Sequence, residues 1–231
     1  SPGAVKKDEK SAATAGASLM LEVKILMNLE KHPHICQVYG LSASGPMASF
    51  GSEHMEENFF LIIDAISETL PERIKSWKEK KGYEGERFDD LASRQSRLTQ
   101  RLEVALEIAS AMTFLANRKL VYFLHPEKVG FDVRYKRIKL FQFGSVRESG
   151  KDPYYRLEEK DMRRRVYLAP EFLRDEIVTV SADVFALGML IWEILTLTGP
   201  LDGMSREAHI KDVVNGRTRP QLNRSWPADL R

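Results

Sequence analysis

Residues 181–193 read SADVFALGMLIWE and carry the strongest structural signal in the chain. The apolar run from Val184 to Leu197 is shorter than the roughly 18 residues of a membrane span, and it contains Glu193. It therefore predicts a buried core helix over about 182–197 and no membrane span. Asp183 stands at the start of this helix, where the helix N-terminus favours a carboxylate.

The first part of the chain, up to a boundary near Asp64–Ser67, predicts a mixture of helix and strands. Leu19–Leu29 has apolar residues at helical spacing, and Ile35–Leu41 alternates as a strand does. Phe59–Ile63 is wholly apolar, which predicts a short strand buried on both faces. The Gly-, Ser- and Glu-rich residues Ser42–Asn58 predict an exposed hairpin loop.

The second part of the chain is mostly helical in its pattern. Leu70–Lys81 predicts a helix, and the polar residues Gly82–Arg97 predict a loop. Leu98–Asn117 predicts a long amphipathic helix, with Thr99 as a cap for its first turn. Two short strand-like segments follow, Lys128–Phe131 and Arg137–Phe141.

The composition is that of a globular chain with nearly balanced charge. The 231 residues include 35 Lys and Arg and 33 Asp and Glu, which gives a net charge of +2. This balance argues against a nucleic-acid partner or a membrane surface. A single cysteine, Cys36, excludes an internal disulfide and a cysteine-rich zinc site, and it makes the reducing cytoplasm the expected location.

Four motifs follow one another along the chain. They are Ala4-Val5-Lys6; Glu22 in an apolar helix followed by His32-Pro33-His34-Ile35; Phe141-Gln142-Phe143-Gly144; and Ala169-Pro170-Glu171 joined to residues 181–193. In this order they resemble the eukaryotic protein kinase domain, from about Gly3 to Arg231. The last motif is the most specific, because Ala-Pro-Glu is a weak signal alone and a strong one when this helix follows.

The resemblance implies an α+β, two-lobed protein-kinase-like fold. Residues 1–66 would form a partial small lobe with the nucleotide-lysine strand, the Glu22 helix and the hinge strand. Residues 67–231 would form a mostly helical large lobe that lacks its final helices. The glycine-rich strand pair expected before Ala4 is also missing, so a domain truncated at both ends is expected. In the family, Glu171 pairs with an arginine of the missing region, and a buried carboxylate without a partner costs several kcal/mol.

The positions that perform phosphoryl transfer in the family depart from its pattern. The catalytic loop aligns with residues 121–128, which places Phe123 at the catalytic base and Lys128 at a metal-binding asparagine. Gln142 stands at the metal-binding aspartate. Phenylalanine cannot accept a proton, and a positioned general base contributes roughly 10²–10⁴-fold. Glutamine is neutral and lysine is a cation, whereas magnesium prefers carboxylate oxygen, so metal binding of the usual kind is expected to fail.

The nucleotide pocket implied by the resemblance is retained in part. Lys6 and Glu22 match the lysine that holds the α- and β-phosphates and the glutamate that orients it. ATP is therefore a candidate ligand without magnesium, if Lys6 and Lys128 supply the positive charge. The other matching positions are Ala4 at the adenine ring, Ile63 at the back of the pocket and Ile66 with its backbone toward adenine.

Two charged clusters each have a functional and a structural interpretation. His125 and Glu127, close to Phe123, are either a replacement acid–base pair or solvated loop residues. Arg163–Arg165 fall where the family has a Ser or Thr at the peptide site, and they either bind an acidic or phosphorylated partner or form a solvated loop. The structural positions that the resemblance implies are Leu26 and Phe143 in an apolar spine, Gly144 beside it, and Asp183 bracing the catalytic-loop backbone.

The predicted function is that of a pseudokinase, which binds a protein partner or another kinase as a scaffold or allosteric element. Trp192-Glu193-Ile194 is most similar to tyrosine-kinase-like members that phosphorylate Ser or Thr, although Tyr-kinase ancestry stays open. The alternative is an active ATP-dependent protein kinase with an atypical site, and a third possibility is a decayed gene product that does not fold. Phe123 discriminates between the first two, because it leaves no base at the expected place.

Overall fold

The computed structural model describes residues 18–42, 60–84, 91–150, 164–175, 177–224 and 226. The predicted site residues Ala4 and Lys6, together with Arg163, lie outside this part of the chain, as does most of the predicted hairpin loop. The first described element is helix α1, residues 18–28, which confirms the helix predicted over Leu19–Leu29.

A two-stranded antiparallel sheet follows α1. It consists of β1 (Val38–Ser42) and β2 (Phe60–Ile63). The prediction that the first strand begins at Ile35 is wrong. Ile35 instead forms an isolated bridge with Leu140, far along the chain, and the backbone reaches the sheet only at β1.

The prediction that β2 is buried on both faces is also wrong. Phe60 is 55% exposed and Ile62 is 50% exposed, whereas Leu61 packs against the core. Within the described residues β2 pairs with β1 alone, so only its alternate side chains reach the interior.

Strand β3 (Ile66–Thr69) leads directly into helix α2 (Leu70–Glu84). Thr69 begins this helix, and Glu72 reaches back to it: the Oε2 atom of Glu72 accepts hydrogen bonds from Thr69 N at 2.6 Å and from Thr69 Oγ1 at 2.8 Å. This local pairing fixes the first turn of α2 and explains where it starts.

Helix α3 (Leu91–Ala116) begins earlier than the sequence pattern predicts. The residues predicted as a loop, Gly82–Arg97, are therefore helical at both ends, and Thr99 lies inside α3 and does not cap it. The segment 91–97, LASRQSR, contains mostly good helix formers, and Arg101 Nε donates to Arg97 O at 3.1 Å. Helix propensity thus outweighs the polarity that suggested a loop.

A three-stranded antiparallel sheet in the order β3–β5–β6 lies next to these helices. Its other strands are β5 (Val129–Asp132) and β6 (Ile138–Leu140), close to the two predicted segments, and β5 is buried along its whole length. The short strand β4 (Leu120–Val121) pairs with β7 (Arg147–Glu148). The predicted lobe boundary between residues 66 and 67 falls inside β3 and stays a prediction.

Three helical segments complete the described chain. They are α4 (Pro170–Asp175), α5 (Val180–Thr196) and α6 (Arg206–Ala208), and α6 continues into a π-helical segment, His209–Val214. The buried core helix predicted over about 182–197 is confirmed by α5. In the described part of the chain no helix is both long and apolar enough to cross a membrane.

The larger of two buried apolar clusters joins the two parts of the chain. It extends from Leu26 of α1 through Ile108 of α3 and Phe143 to Leu190 of α5. The last three of these residues are fully buried. The α+β class predicted from the sequence is confirmed.

Candidate functional site

Asp183 of α5 holds the loop that follows β4. Its Oδ2 accepts a hydrogen bond from Tyr122 N at 2.5 Å, and its Oδ1 accepts one from Leu124 N at 2.9 Å. Burial raises the pKa of Asp183 to about 6, although these backbone donors and the charge of Lys128 oppose the rise. The carboxylate therefore fixes the backbone on both sides of Phe123, which is the position predicted for the catalytic base.

Phe123 is part of an apolar cluster. Its ring lies 5.2 Å from the ring of Phe172 in α4, and it packs against a buried group that includes Val121, Val178 and Ala182. Its backbone has a φ of 56°, in the left-handed region that non-glycine residues seldom adopt. The side chain thus contributes packing at this position and offers no atom that could take a proton.

Lys128 directs its ammonium group into the protein. The residue is only 4% exposed, and its Nζ donates to Tyr122 O at 2.8 Å and to Ser145 Oγ at 2.5 Å. Nζ also lies 4.7 Å from the centre of the Tyr122 ring. Burial raises the pKa of both Glu22 and Asp183, and the charge of Lys128 opposes that rise. Because the ammonium is buried, a phosphate from solvent could contact it only if the surrounding residues moved.

Tyr122 connects the loop that follows β4 to the segment that contains Gln142. Its buried hydroxyl shares its one proton between Lys128 O at 2.9 Å and Phe141 O at 2.5 Å, and its ring lies 4.9 Å from that of Phe143. Burial raises the pKa of Tyr122 far above its usual value, so the hydroxyl stays a donor. Sequence analysis gave Tyr122 no role, because a single tyrosine in a loop carries no recognisable pattern.

Glu22 of α1 contacts the backbone of the Phe143–Ser145 turn. Its Oε1 accepts a hydrogen bond from Phe143 N at 3.0 Å. Burial raises the pKa of Glu22, against the opposing effects of this bond and of Lys128. The predicted partner, Lys6, lies outside the described residues, so their ion pair stays a prediction.

Two further positions in this turn were predicted from the sequence. Gln142 is exposed and left-handed, with φ 63°. Gly144 lies against the start of α1: a Cβ there would be 2.1 Å from Ser18 Oγ and 2.7 Å from Ser18 O. Only glycine permits that approach, so α1 meets the turn both here and through Glu22.

Asp64, between the predicted pocket residues Ile63 and Ile66, was missed by sequence analysis. Its Oδ2 accepts from Gln37 N at 2.9 Å and pairs with Lys139 Nζ at 3.0 Å. Burial opposes ionisation, but these contacts outweigh it and the pKa of Asp64 is lowered. The only available signal was one acidic residue directly after an apolar strand.

The pocket residues around Asp64 have different surroundings. Ile63 lies in β2 opposite Val38, and Ile66 begins β3 opposite Asp132. A Cβ at Gly130 would lie 2.5 Å from Ile66 Cγ2, so glycine makes room for this isoleucine. Both residues are half-buried, and their contact with adenine stays a prediction.

His125 and Glu127 contact each other, with His125 Nδ1 lying 3.8 Å from Glu127 Oε2. His125 Nδ1 accepts a hydrogen bond from Glu127 N at 3.3 Å, and its ring lies edge-on, 4.9 Å from the ring of Tyr167. Burial, together with the charges of Arg164 and Lys128, lowers the pKa of His125 to about 3. The histidine is therefore neutral at physiological pH and helps to cap the Pro126–Lys128 turn.

The described arginines of the cluster at 163–165 are engaged within the chain. Arg164 Nη2 pairs with Glu127 Oε2 at 2.6 Å, and Arg165 Nη2 donates to Met204 O at 2.8 Å. These contacts connect the segment before α4 to the loop at Glu127 and to the segment before α6. They reduce the charge that is free to bind a phosphorylated partner here.

Glu171 is only half-buried, in the first turn of α4. The several-kcal/mol cost expected for a fully buried, unpartnered carboxylate therefore does not apply to it. A second glutamate, Glu193 of α5, accepts a hydrogen bond at its Oε2 from Tyr167 Oη at 2.6 Å. Burial raises the pKa values of both members of this pair.

The donor set does not suit magnesium. Among the described residues, no group of three or more His, Cys, Asp or Glu side chains converges on one point. The two positions that match metal ligands carry the amide of Gln142 and the ammonium of Lys128, and the latter is bonded internally. Hard divalent cations are bound mainly through carboxylate and carbonyl oxygens, so these side chains do not fit one.

Comparison with known proteins is consistent with this geometry. A family model described as protein tyrosine and serine/threonine kinase matches residues 2–231. The chain is 28% identical over 198 residues to Protein sevenless of Drosophila melanogaster. The matched region covers 83% of this chain and 7% of that protein. It is 33% identical over 132 residues to the Insulin receptor-related protein of Mus musculus, covering 55% of this chain and 10% of that protein.

A third relative is the Insulin-like growth factor 1 receptor of Xenopus laevis, 31% identical over 120 residues, or 52% of this chain and 9% of that protein. The chain thus spans a tenth or less of each of these three relatives. The family model, by contrast, matches nearly every residue, including the loop at Phe123 and the helix α5. The chain therefore belongs to the protein tyrosine and serine/threonine kinase family.

Proposed function

We propose that this kinase-family domain does not transfer phosphate and acts instead by binding a protein partner, as a scaffold or an allosteric element. The observation that carries the proposal is the buried ammonium of Lys128, at the position of a metal ligand. It is bonded to Tyr122 O and Ser145 Oγ, and its charge opposes the rise that burial causes in the pKa values of Glu22 and Asp183. A cation fixed there repels a divalent metal that phosphoryl transfer needs for charge neutralisation.

The surroundings of Phe123 support the same conclusion. Its ring packs against Phe172, and the histidine closest in sequence, His125, is neutral and engaged with Glu127 N and Tyr167. General-base catalysis, worth roughly 10²–10⁴-fold, thus has no group to perform it at this position. The acid–base role considered for His125 and Glu127 is not favoured by these contacts.

We further propose that ATP, where it binds, binds without magnesium and through the small-lobe positions Ala4, Lys6, Ile63 and Ile66. Lys128 is less suited to this role than the sequence suggests, because its ammonium already has two acceptors. Lys6 is then the cation on which nucleotide affinity depends.

The test is a thermal melt of the purified chain with ATP, in magnesium and in EDTA, beside a phosphotransfer assay on a generic substrate. A ligand that binds only the folded state raises the midpoint by mass action. We expect no phosphotransfer and no magnesium-dependent shift, and any shift in EDTA should disappear in Lys6→Met. Magnesium-dependent stabilisation together with transfer above a no-enzyme control would instead establish the alternative, an active kinase with an atypical site.

A further inference from the structure

The turn between β5 and β6 presents a cluster of cations around one tyrosine. Residues 134–139 read RYKRIK, and all of residues 133–137 are exposed. Tyr135 is 68% exposed and Val133 is 54% exposed. We call the surface formed by residues 133–137 and Lys139 the basic hairpin. Neither the kinase resemblance nor the proposed loss of catalysis accounts for it.

The basic hairpin is held in one conformation by Asp132. Its Oδ1 accepts hydrogen bonds from Arg134 N at 2.9 Å and Tyr135 N at 2.6 Å, and its Oδ2 accepts one from Arg137 N at 2.9 Å. This carboxylate, 8% exposed, is therefore fully engaged by the backbone of the turn. A preordered turn presents its side chains at little entropic cost on binding.

The four cations of the hairpin differ in their partners. Arg137 Nε lies 3.3 Å from Glu107 Oε1, and Lys139 Nζ lies 3.0 Å from Asp64 Oδ2. Arg134 lies 5.1 Å from the ring of its neighbour Tyr135, and Lys136 Nζ donates to Ser67 Oγ at 3.3 Å. Among the described residues, no carboxylate pairs with either Arg134 or Lys136. Within the part of the chain that the structure describes, the outer side of the hairpin thus carries positive charge that no carboxylate offsets.

A groove of about 530 Å³ adjoins this charge. It is lined by Pro33, Asp132, Tyr135, Arg137 and Lys139. Proline and the tyrosine ring supply apolar contact surface, and the two basic side chains supply donors. The groove is large enough for a few side chains of an extended segment, and its lining includes Tyr135 and Arg137, the sequence neighbours of Arg134 and Lys136.

We propose that the basic hairpin and its groove dock an acidic peptide segment of a protein partner. Carboxylate or phosphate groups of the segment would pair with Arg134 and Lys136, while an apolar side chain would contact Tyr135 and Pro33. The complementarity of charge favours an anionic occupant. A peptide fits better than a nucleic acid, because the chain as a whole is nearly neutral, at +2, and offers one aromatic side chain here. The proposal deepens the scaffold role proposed above.

The experiment uses three fluorescein-labelled decapeptides: one rich in glutamate around a central leucine, the same peptide with a phosphotyrosine, and a matched peptide with glutamine for glutamate. Binding is measured by fluorescence anisotropy to the whole chain, at low and high salt. The test variant is Arg134→Glu/Lys136→Glu. The control is Lys211→Glu/Arg217→Glu, an equal change of charge at exposed residues in and just after the π-helical segment.

We expect the anionic peptides to bind, the glutamine peptide not to bind, and the test variant to weaken binding about tenfold, as the loss of two exposed ion pairs implies. The control variant should bind like the wild type, and Tyr135→Ala should weaken binding without changing its salt dependence. The two anionic peptides distinguish carboxylate from phosphate as the recognised group.

The proposal is overturned if no anionic peptide binds a chain that melts cooperatively, or if both double variants weaken binding equally. It is also overturned if a short single-stranded DNA binds more tightly than the peptides with the same dependence on Arg134 and Lys136. Failure here leaves the phosphotransfer result untouched, so the docking surface and the loss of catalysis are judged by separate measurements.

Discussion

Replacing Lys128 by methionine removes a buried charge while keeping most of the side-chain volume. The variant loses two charge-assisted hydrogen bonds, to Tyr122 O and Ser145 Oγ, each worth about 1.5–3 kcal/mol. It also leaves Glu22 and Asp183 without the cation that lowers their pKa values. We expect the free energy of unfolding at pH 8 to fall by about 3–5 kcal/mol, the range for breaking a buried ionic contact.

The same reasoning fixes how this loss depends on pH. Burial raises the pKa of Asp183 to about 6 in the folded state, above the usual aspartate value of 3.8. Its contribution to stability is therefore fully present below pH 3.8 and is lost as the pH rises through about 6. Lys128→Met raises that folded-state pKa further, so the destabilisation should be smaller at pH 5 than at pH 8, by about 1–3 kcal/mol.

The assay is urea denaturation followed by the fluorescence of the three tryptophans, which include the buried Trp77. Lys24→Met, at an exposed position of α1, is the matched control and should change stability by less than about 0.5 kcal/mol. A loss below about 1 kcal/mol, or one that is equal at pH 5 and pH 8, would refute the view that Lys128 compensates these buried carboxylates.

Two further predictions concern acid stability and the contact of α1 with the Phe143–Ser145 turn. Burial lowers the pKa of His125 to about 3 in the folded state, so its contribution to stability is present above about pH 6.5 and is lost as the pH falls toward 3. The variant His125→Asn keeps a cap acceptor but has no imidazole to titrate. On unfolding near pH 5 it should take up about one proton fewer than the wild type, which is measured as a shallower slope of the free energy of unfolding against pH. Equal slopes for variant and wild type would contradict this assignment. Gly144→Ala places a Cβ against the backbone of Ser18 and should cost about 1–3 kcal/mol and speed amide exchange in α1, whereas unchanged exchange there would argue against the contact.

The sequence predicted the elements that have a strong apolar period and missed those that depend on partners far along the chain. Helix α5 was predicted correctly because its apolar residues are continuous. The exposure of β2 was not, because one short apolar run cannot indicate whether both faces of a strand are covered. The start of α3 was missed because residues 91–97 are polar yet favour helix.

The site shows the same division. The positions of Phe123, Gln142 and Lys128 came from family motifs, but the direction of the Lys128 side chain did not, since it depends on Ser145 and on the carbonyl of Tyr122. Asp64 and Tyr122 act through contacts with backbone atoms of distant segments. Such contacts require a folded chain and leave no motif in the sequence.

The buried ammonium of Lys128 has a consequence for how the domain responds to its surroundings. The occupancy of a metal site depends on the free concentration of the metal, whereas a charge that belongs to the polypeptide is present in every copy. The contacts between the loop that follows β4, which contains Tyr122, and the Phe143–Ser145 turn are thus independent of the supply of magnesium. A domain built in this way would hold one shape through changes in the energy state of the cell, which is a useful property in a component that other proteins must recognise.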